Sequence, residues 1–146
     1  MVAQFALIAV VALGWMAGPR IAALKVPGTI LALAGVAVAL WASRTMGRSL
    51  TPFPRPRADG ELITGGPFGY VRHPVYGGGI LFFAGVSLAV GMWGLAGTAA
   101  LAPLWWFKAR YEEGMLLDRY PEYAAYRERV RGRLFPRPPF RRGAGG

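Results

Sequence analysis

Arg72 and His73 are the residues best suited to chemistry in this sequence. His73 is the only histidine, and it sits in Gly65-Gly66-Pro67-Phe68-Gly69-Tyr70-Val71-Arg72-His73-Pro74-Val75-Tyr76-Gly77-Gly78-Gly79 between two glycine clusters and among three aromatic rings. A guanidinium beside an imidazole suits the binding of a charged group, and the imidazole can also take up a proton. The glycines let backbone amides approach a ligand closely. A simpler reading stands beside this one, in which His73-Pro74 merely caps the helix that follows. Glu112-Glu113 is the second candidate. It supplies carboxylates opposite in sign to Arg72, or else forms a solvated helix face paired with Lys108 or Arg110. With no cysteine, the chain has no thiolate nucleophile and no thiolate metal site. One histidine also argues against a histidine-rich metal centre, so no metal is expected.

Composition says where such a site would lie. The 146 residues make one domain, and 54% are hydrophobic against 16% charged. Together with a positive mean hydropathy, that points to the membrane class. The net charge of +10 is unevenly placed. Only Arg20 and Lys25 precede residue 43, five basic residues occupy the middle of the chain, and ten lie from Lys108 onward. Basic groups clustered beside apolar segments follow the positive-inside pattern and favour an anionic lipid surface. No nucleic-acid-binding motif accompanies them, so nucleic acid is not an expected partner.

The elements that must position these residues follow from the hydropathy pattern. Residues 2–18 and 26–42 read as two short transmembrane helices, with Pro27 in the first turn of the second. A signal peptide is the rival reading of the first, but it lacks a basic start and Ala17-Gly18-Pro19 is a poor cleavage site. Residues 43–79 form a break rich in Pro, Gly and Arg. In it, Thr51-Pro52-Phe53-Pro54-Arg55-Pro56-Arg57 is extended, and Glu61-Leu62-Ile63-Thr64 reads as strand-like. Residues 80–107 carry no charge. As one helix they would be about 42 Å long, against a hydrocarbon core of about 30 Å. Folding them as a tight helical hairpin, turning at Gly91, Gly94 and Gly97, keeps the middle and C-terminal basic residues on one side, as the positive-inside rule prefers. From about residue 108 to 130 the pattern is amphipathic, with Leu116, Tyr120, Tyr123 and Val130 at helical spacing and a corner near Arg119-Tyr120-Pro121. The end, residues 137–146, reads as a disordered basic tail.

The expected fold is therefore an all-α integral membrane protein. It has about four transmembrane helices, the last two a tight hairpin, followed by amphipathic cytoplasmic helices. An out-and-back hairpin returns both its ends to one membrane face. That brings Arg72, His73 and Tyr76 to Lys108, Arg110, Glu112 and Glu113, and ionisable groups at that depth are usually paired or functional.

Gly66-Pro67-Phe68-Gly69-Tyr70-Val71-Arg72-His73-Pro74-Val75-Tyr76-Gly77, the apolar hairpin, Glu112-Glu113 and Tyr120-Pro121-Glu122-Tyr123-Ala124-Ala125-Tyr126-Arg127-Glu128-Arg129-Val130 come in an order that closely resembles the isoprenylcysteine carboxyl methyltransferase family. The wider group includes bacterial relatives and phospholipid N-methyltransferases. The resemblance covers roughly residues 43–136 and implies a methyltransferase core there, after two N-terminal helices in 1–42. It implies an integral-membrane enzyme that uses S-adenosylmethionine (SAM), with the cofactor at the cytoplasmic face and a lipophilic acceptor entering from the bilayer. By position, cofactor contacts would come from Gly60, Glu61, Leu62, Ile63, Phe68, His73, Pro74, Val75, Tyr76 and Glu112. Lys108 falls where eukaryotic members place a substrate-contacting arginine, and it lacks arginine's bidentate fork. Phe68 stands in place of a usual tyrosine.

Methyl transfer is an in-line displacement, so positioning and exclusion of water supply most of the catalysis. Arg72, His73 and Glu113 are the candidate catalytic groups. A carboxylate acceptor, as in a prenyl-cysteine-like substrate, needs no base. A lipid amine must first lose a proton, for which Glu113 or His73 is available. The expected location is the cytoplasmic membrane of a prokaryote, with several passes and both termini cytoplasmic. Two other readings are a membrane reductase related to sterol reductases, which carry a similar Arg-His-Pro segment, and a non-catalytic subunit that binds anionic lipid through its basic tail.

Overall fold

The computed structural model describes residues 2–47 and 62–137. The extended stretch 51–57, the cofactor-contact candidates Gly60 and Glu61, and the tail from 138 onward lie outside the described residues. Within them the fold is all-helical and has no strand. Its helices are α1 (Val2–Ala17), α2 (Ala22–Met46), α3 (Pro74–Val90), α4 (Gly94–Arg119) and α5 (Tyr123–Arg129), with one 3-10 turn at Gly66–Gly69.

Several boundaries differ from the sequence reading: α2 runs on to Met46, and Gly94 and Gly97 lie within α4 and not in the turn. α2 begins at Ala22, so Pro27 lies inside the helix and not in its first turn. Residues 62–64 have no regular structure. With no neighbouring strand to complete a ladder, Leu62 packs instead on the Tyr123, Tyr126 and Val130 cluster. The segment that follows the hairpin is not a separate helix, because α4 runs on without a break to Arg119. The corner at 120–122 and the short α5 after it fall where the sequence puts them.

Small residues hold the bundle together. α2 and α3 run antiparallel and make its most extensive contact. Gly28, Ala32, Gly35 and Ala39 of α2 face Gly78 and Gly85 of α3 so closely that a Cβ on Gly28 would come within 2.7 Å of the Gly85 carbonyl oxygen. Such small-residue stripes let backbones meet without large side chains between them. The large apolar groups point outward, and Val2, Leu13, Met16 and Leu33 are each more than 60% exposed. Arg72, His73, Ser87, Thr98 and Glu113 are buried.

α1 packs antiparallel to α4, with Gly14 against Gly94, Val11 against Gly97, and Gln4 reaching Lys108. Both short turns therefore lie at one end of the bundle, where the Met92 amide donates to the Pro19 carbonyl at 3.1 Å. The Arg72-His73 turn, the C-terminal part of α4 and α5 lie at the other. Among the described residues α2, at 25 residues, is the one helix long and apolar enough to cross a bilayer unaided. α1 and α3, with 16 and 17 residues, would reach about 24–26 Å at 1.5 Å per residue, and α4 becomes charged after Phe107. Of the four transmembrane helices expected, α2 meets the length and hydropathy of a span by itself, and α1 and α3 are shorter apolar helices packed beside it.

Candidate active site

α3 starts at Pro74, which fixes φ for a first helical turn and needs no N–H partner there. His73 occupies the N-cap position but makes no capping hydrogen bond through its ring. The ring instead lies between the two carboxylates of α4. Its Nδ1 is 3.6 Å from Glu112 Oε2, and its Nε2 is 3.3 Å from Glu113 Oε1. His73 thus stands at the helix cap, as the simpler reading has it, but its ring faces the two carboxylates, and Glu113 is buried and not part of a solvated acidic face.

The adjacent glutamates have different surroundings. Glu113 accepts from Arg72 Nε at 2.9 Å and is gripped by Arg133, whose Nε and Nη2 donate to its two oxygens at 2.9 and 3.0 Å. Burial pushes its carboxyl up, but the contacts from His73, Arg133 and Arg72 outweigh this and hold it well below the usual carboxylate range. Glu112 accepts a 2.6 Å hydrogen bond from Tyr76 Oη. Burial raises its carboxyl, and Tyr76, His73 and Lys108 only partly offset that. Glu113 is thus committed to two guanidinium groups, while Glu112 is a half-buried carboxylate with no arginine on it.

A column of rings stands beside Glu112. His73 stacks on Tyr76 with centroids 5.7 Å apart and planes 8° apart, and Tyr76 stacks on Trp105 at 5.7 Å. At the two ends of this stack, Trp105 Nε1 is buried without a hydrogen-bond partner, and His73 Nε2 is buried with the Glu113 carboxylate 3.3 Å away. Lys108 Nζ lies 5.2 Å from the Tyr76 ring centre and 3.4 Å from Gln4 Oε1. An unpartnered indole N–H on an aromatic stack, next to a carboxylate, fits a ligand that combines a flat heterocycle with a cationic end.

The hairpin thus unites Arg72, His73, Tyr76, Lys108, Glu112 and Glu113. Arg110 does not join them. It is on the exposed side of α4, 5.8 Å from the Trp106 ring. Phe68 is buried in the 3-10 turn, and its carbonyl accepts from Tyr126 Oη at 2.7 Å. Burial pushes that phenol up to about 12, so it remains a donor. Leu62 belongs to the α5 cluster, Ile63 and Val75 are half-buried, and Pro74 is buried at the α3 start. Sequence reasoning missed Arg133 and Trp105. Arg133 is one of many arginines in a basic stretch, and Trp105 one of several aromatics in an apolar run, so neither carried a distinguishing signal.

No curated protein matches this chain. A family model described as phospholipid methyltransferase matches residues 24–123, from α2 through the hairpin to the first residue of α5. That range holds Arg72, His73, Tyr76, Lys108, Glu112 and Glu113, and it covers well over half of the chain. The chain belongs to the phospholipid methyltransferase family, a family of membrane methyltransferases.

Proposed function

We propose that this protein transfers a methyl group from SAM to a lipid amine at the cytoplasmic face of a membrane. The observation that carries this reading is the contrast between Glu113, neutralised by two arginines, and Glu112, half-buried beside a ring stack with an unpartnered indole N–H. SAM, when bound, supplies a methyl group activated by a sulfonium. Glu112 would face the cationic end of the cofactor, and Tyr76 Oη would hold that carboxylate in place. Trp105 would offer its unpartnered ring N–H to the heterocycle, and His73 would bound the site at the other end of the stack. Gly60, Glu61, Leu62, Ile63, Phe68, Pro74 and Val75 stand in this proposal as further contacts by position. Lys108, at the α1 edge of the site, would meet the acceptor.

An amine acceptor must shed its proton before attack. Glu113, held strongly acidic, is a poor receiver, so the role passes to His73, with Glu112 close to its Nδ1. Burial of the cluster keeps water away from the reacting centre. The outward apolar faces of α1 and α2 support a bilayer setting. The basic residues gathered at the site end support a cytoplasmic orientation for it, with residues 1–42 as anchoring helices and 43–136 as the core.

The test is transfer of label from methyl-labelled SAM by the purified protein in vesicles containing phosphatidylethanolamine. Label in the amine headgroup is the expected result. Label only in an added prenyl-cysteine carboxylate would replace the acceptor. Absence of SAM binding, with NADPH bound instead, would overturn the reading in favour of a reductase.

A further inference from the structure

The segment after α5 folds back over the Arg72-His73 turn. The amide of Arg72 donates to the Gly132 carbonyl at 2.9 Å, and the amide of His73 donates to the Arg133 carbonyl at 2.8 Å. Arg72 Nη1 donates to the Val130 carbonyl at 2.6 Å. At Gly77, one turn into α3, a Cβ would run into the Leu134 carbonyl oxygen, so the glycine there admits this segment. Arg133 therefore holds His73 twice. Its carbonyl fixes the main chain, and its guanidinium fixes Glu113, which faces the ring at Nε2. The guanidinium is itself seated on Trp106, 4.7 Å from the ring centre. The strap itself, residues 130–134, lies beyond residue 123, where the family match ends.

We infer that residues 130–134 are a strap that sets the His73 ring between the two glutamates, and that Arg133 is a positioning residue for this site. The strap acts through His73 and Glu113 and needs no contact with a ligand. A bidentate fork on a carboxylate is a geometric constraint that lysine cannot reproduce. Losing the fork releases Glu113 on one side and lets the His73 ring turn.

His73 is the only histidine, so its imidazole 15N resonances need no assignment. Spectra of the full-length protein in detergent, without cofactor, are compared for wild type, Arg133→Gln, Arg133→Lys, Gly77→Ala and the control Arg127→Gln on exposed α5. Arg133→Gln is expected to shift the imidazole signals and speed amide exchange at Arg72 and His73, with Arg133→Lys intermediate and Arg127→Gln like wild type. Gly77→Ala displaces the strap without removing charge and is expected to change the same signals, which keeps the test open should Arg133→Gln not fold. Imidazole signals identical to wild type in folded Arg133→Lys and Gly77→Ala would overturn the proposal, even if thermal stability fell. Weakened SAM affinity in Arg133→Gln, on the order of tenfold, rests on the function proposed above. The cofactor-free spectra do not, so failure of one is distinguishable from failure of the other.

Discussion

The two ends of the bundle bury polar groups in opposite ways. At the end with the short turns, Ser87 Oγ accepts from Trp15 Nε1 at 3.0 Å and donates to the Phe83 carbonyl, while Thr98 donates to the Gly94 carbonyl. These groups are neutral, and each hydroxyl spends its proton on its own helix. At the other end the buried groups come from the turn before α3, from α4 and from the strap, and include the Arg72–Glu113 ion pair and Trp105 Nε1, which has no hydrogen-bond partner. One end is complete as protein alone. The other has bonding capacity left over, and a ligand site needs that.

The comparison breaks most severely at Glu113. Glu113→Gln leaves two guanidinium groups facing a neutral amide in a buried place, and loss of one partner from a buried pair costs about 3–5 kcal/mol. Thermal unfolding in detergent should register this as the largest loss of any single change here. Its pH dependence has a definite sign. Glu113's native carboxyl lies below its ordinary value of 4.5, so its stabilisation is present above that value and fades as pH falls below it. The variant should lack this acid-side loss.

Next in size is overpacking of the bundle. Gly85→Leu drives a side chain into the α2 backbone at Ala32 and should cost about 1–3 kcal/mol in thermal unfolding. Cofactor affinity of the folded fraction should stay the same, because the change is remote from Glu112. Ser87→Ala strands the Trp15 N–H and should cost about 1 kcal/mol, again with no effect at the site.

Smallest in stability is Glu112→Gln. Its native carboxyl is raised by burial, so the charged form gives up stability as pH rises through the native value. A neutral amide avoids this, and the variant should be as stable as wild type or slightly more so above neutral pH. Neighbouring glutamates would then respond in opposite senses, as expected where function is kept at some expense of stability.

Much of this contrast is legible in the sequence. Placement of charge is enough to fold residues 80–107 into a hairpin, and a hairpin must return His73 to Glu112 and Glu113. The corner before α5 is marked by Pro121. The strap is not legible, because it pairs backbone with backbone and its arginine sits in a run that resembles a solvated tail. Arg110 misleads for a related reason: spacing brings it near the cluster, but helical rotation turns it outward onto Trp106. The different fates of Glu112 and Glu113 also depend on what faces each side of α4, which adjacency in sequence does not encode.

The central claim is that the end with unspent bonding capacity is a cofactor site built on Glu112. Calorimetric titration of SAM into wild type, Ser87→Ala and Glu112→Gln in mild detergent tests it most directly. The expected result is saturable binding to wild type and Ser87→Ala alike, with affinity at least about tenfold weaker in Glu112→Gln, as befits a lost hydrogen bond to a charged group worth about 1.5–3 kcal/mol. Equal affinity in wild type and Glu112→Gln, or no binding to wild type, would contradict it.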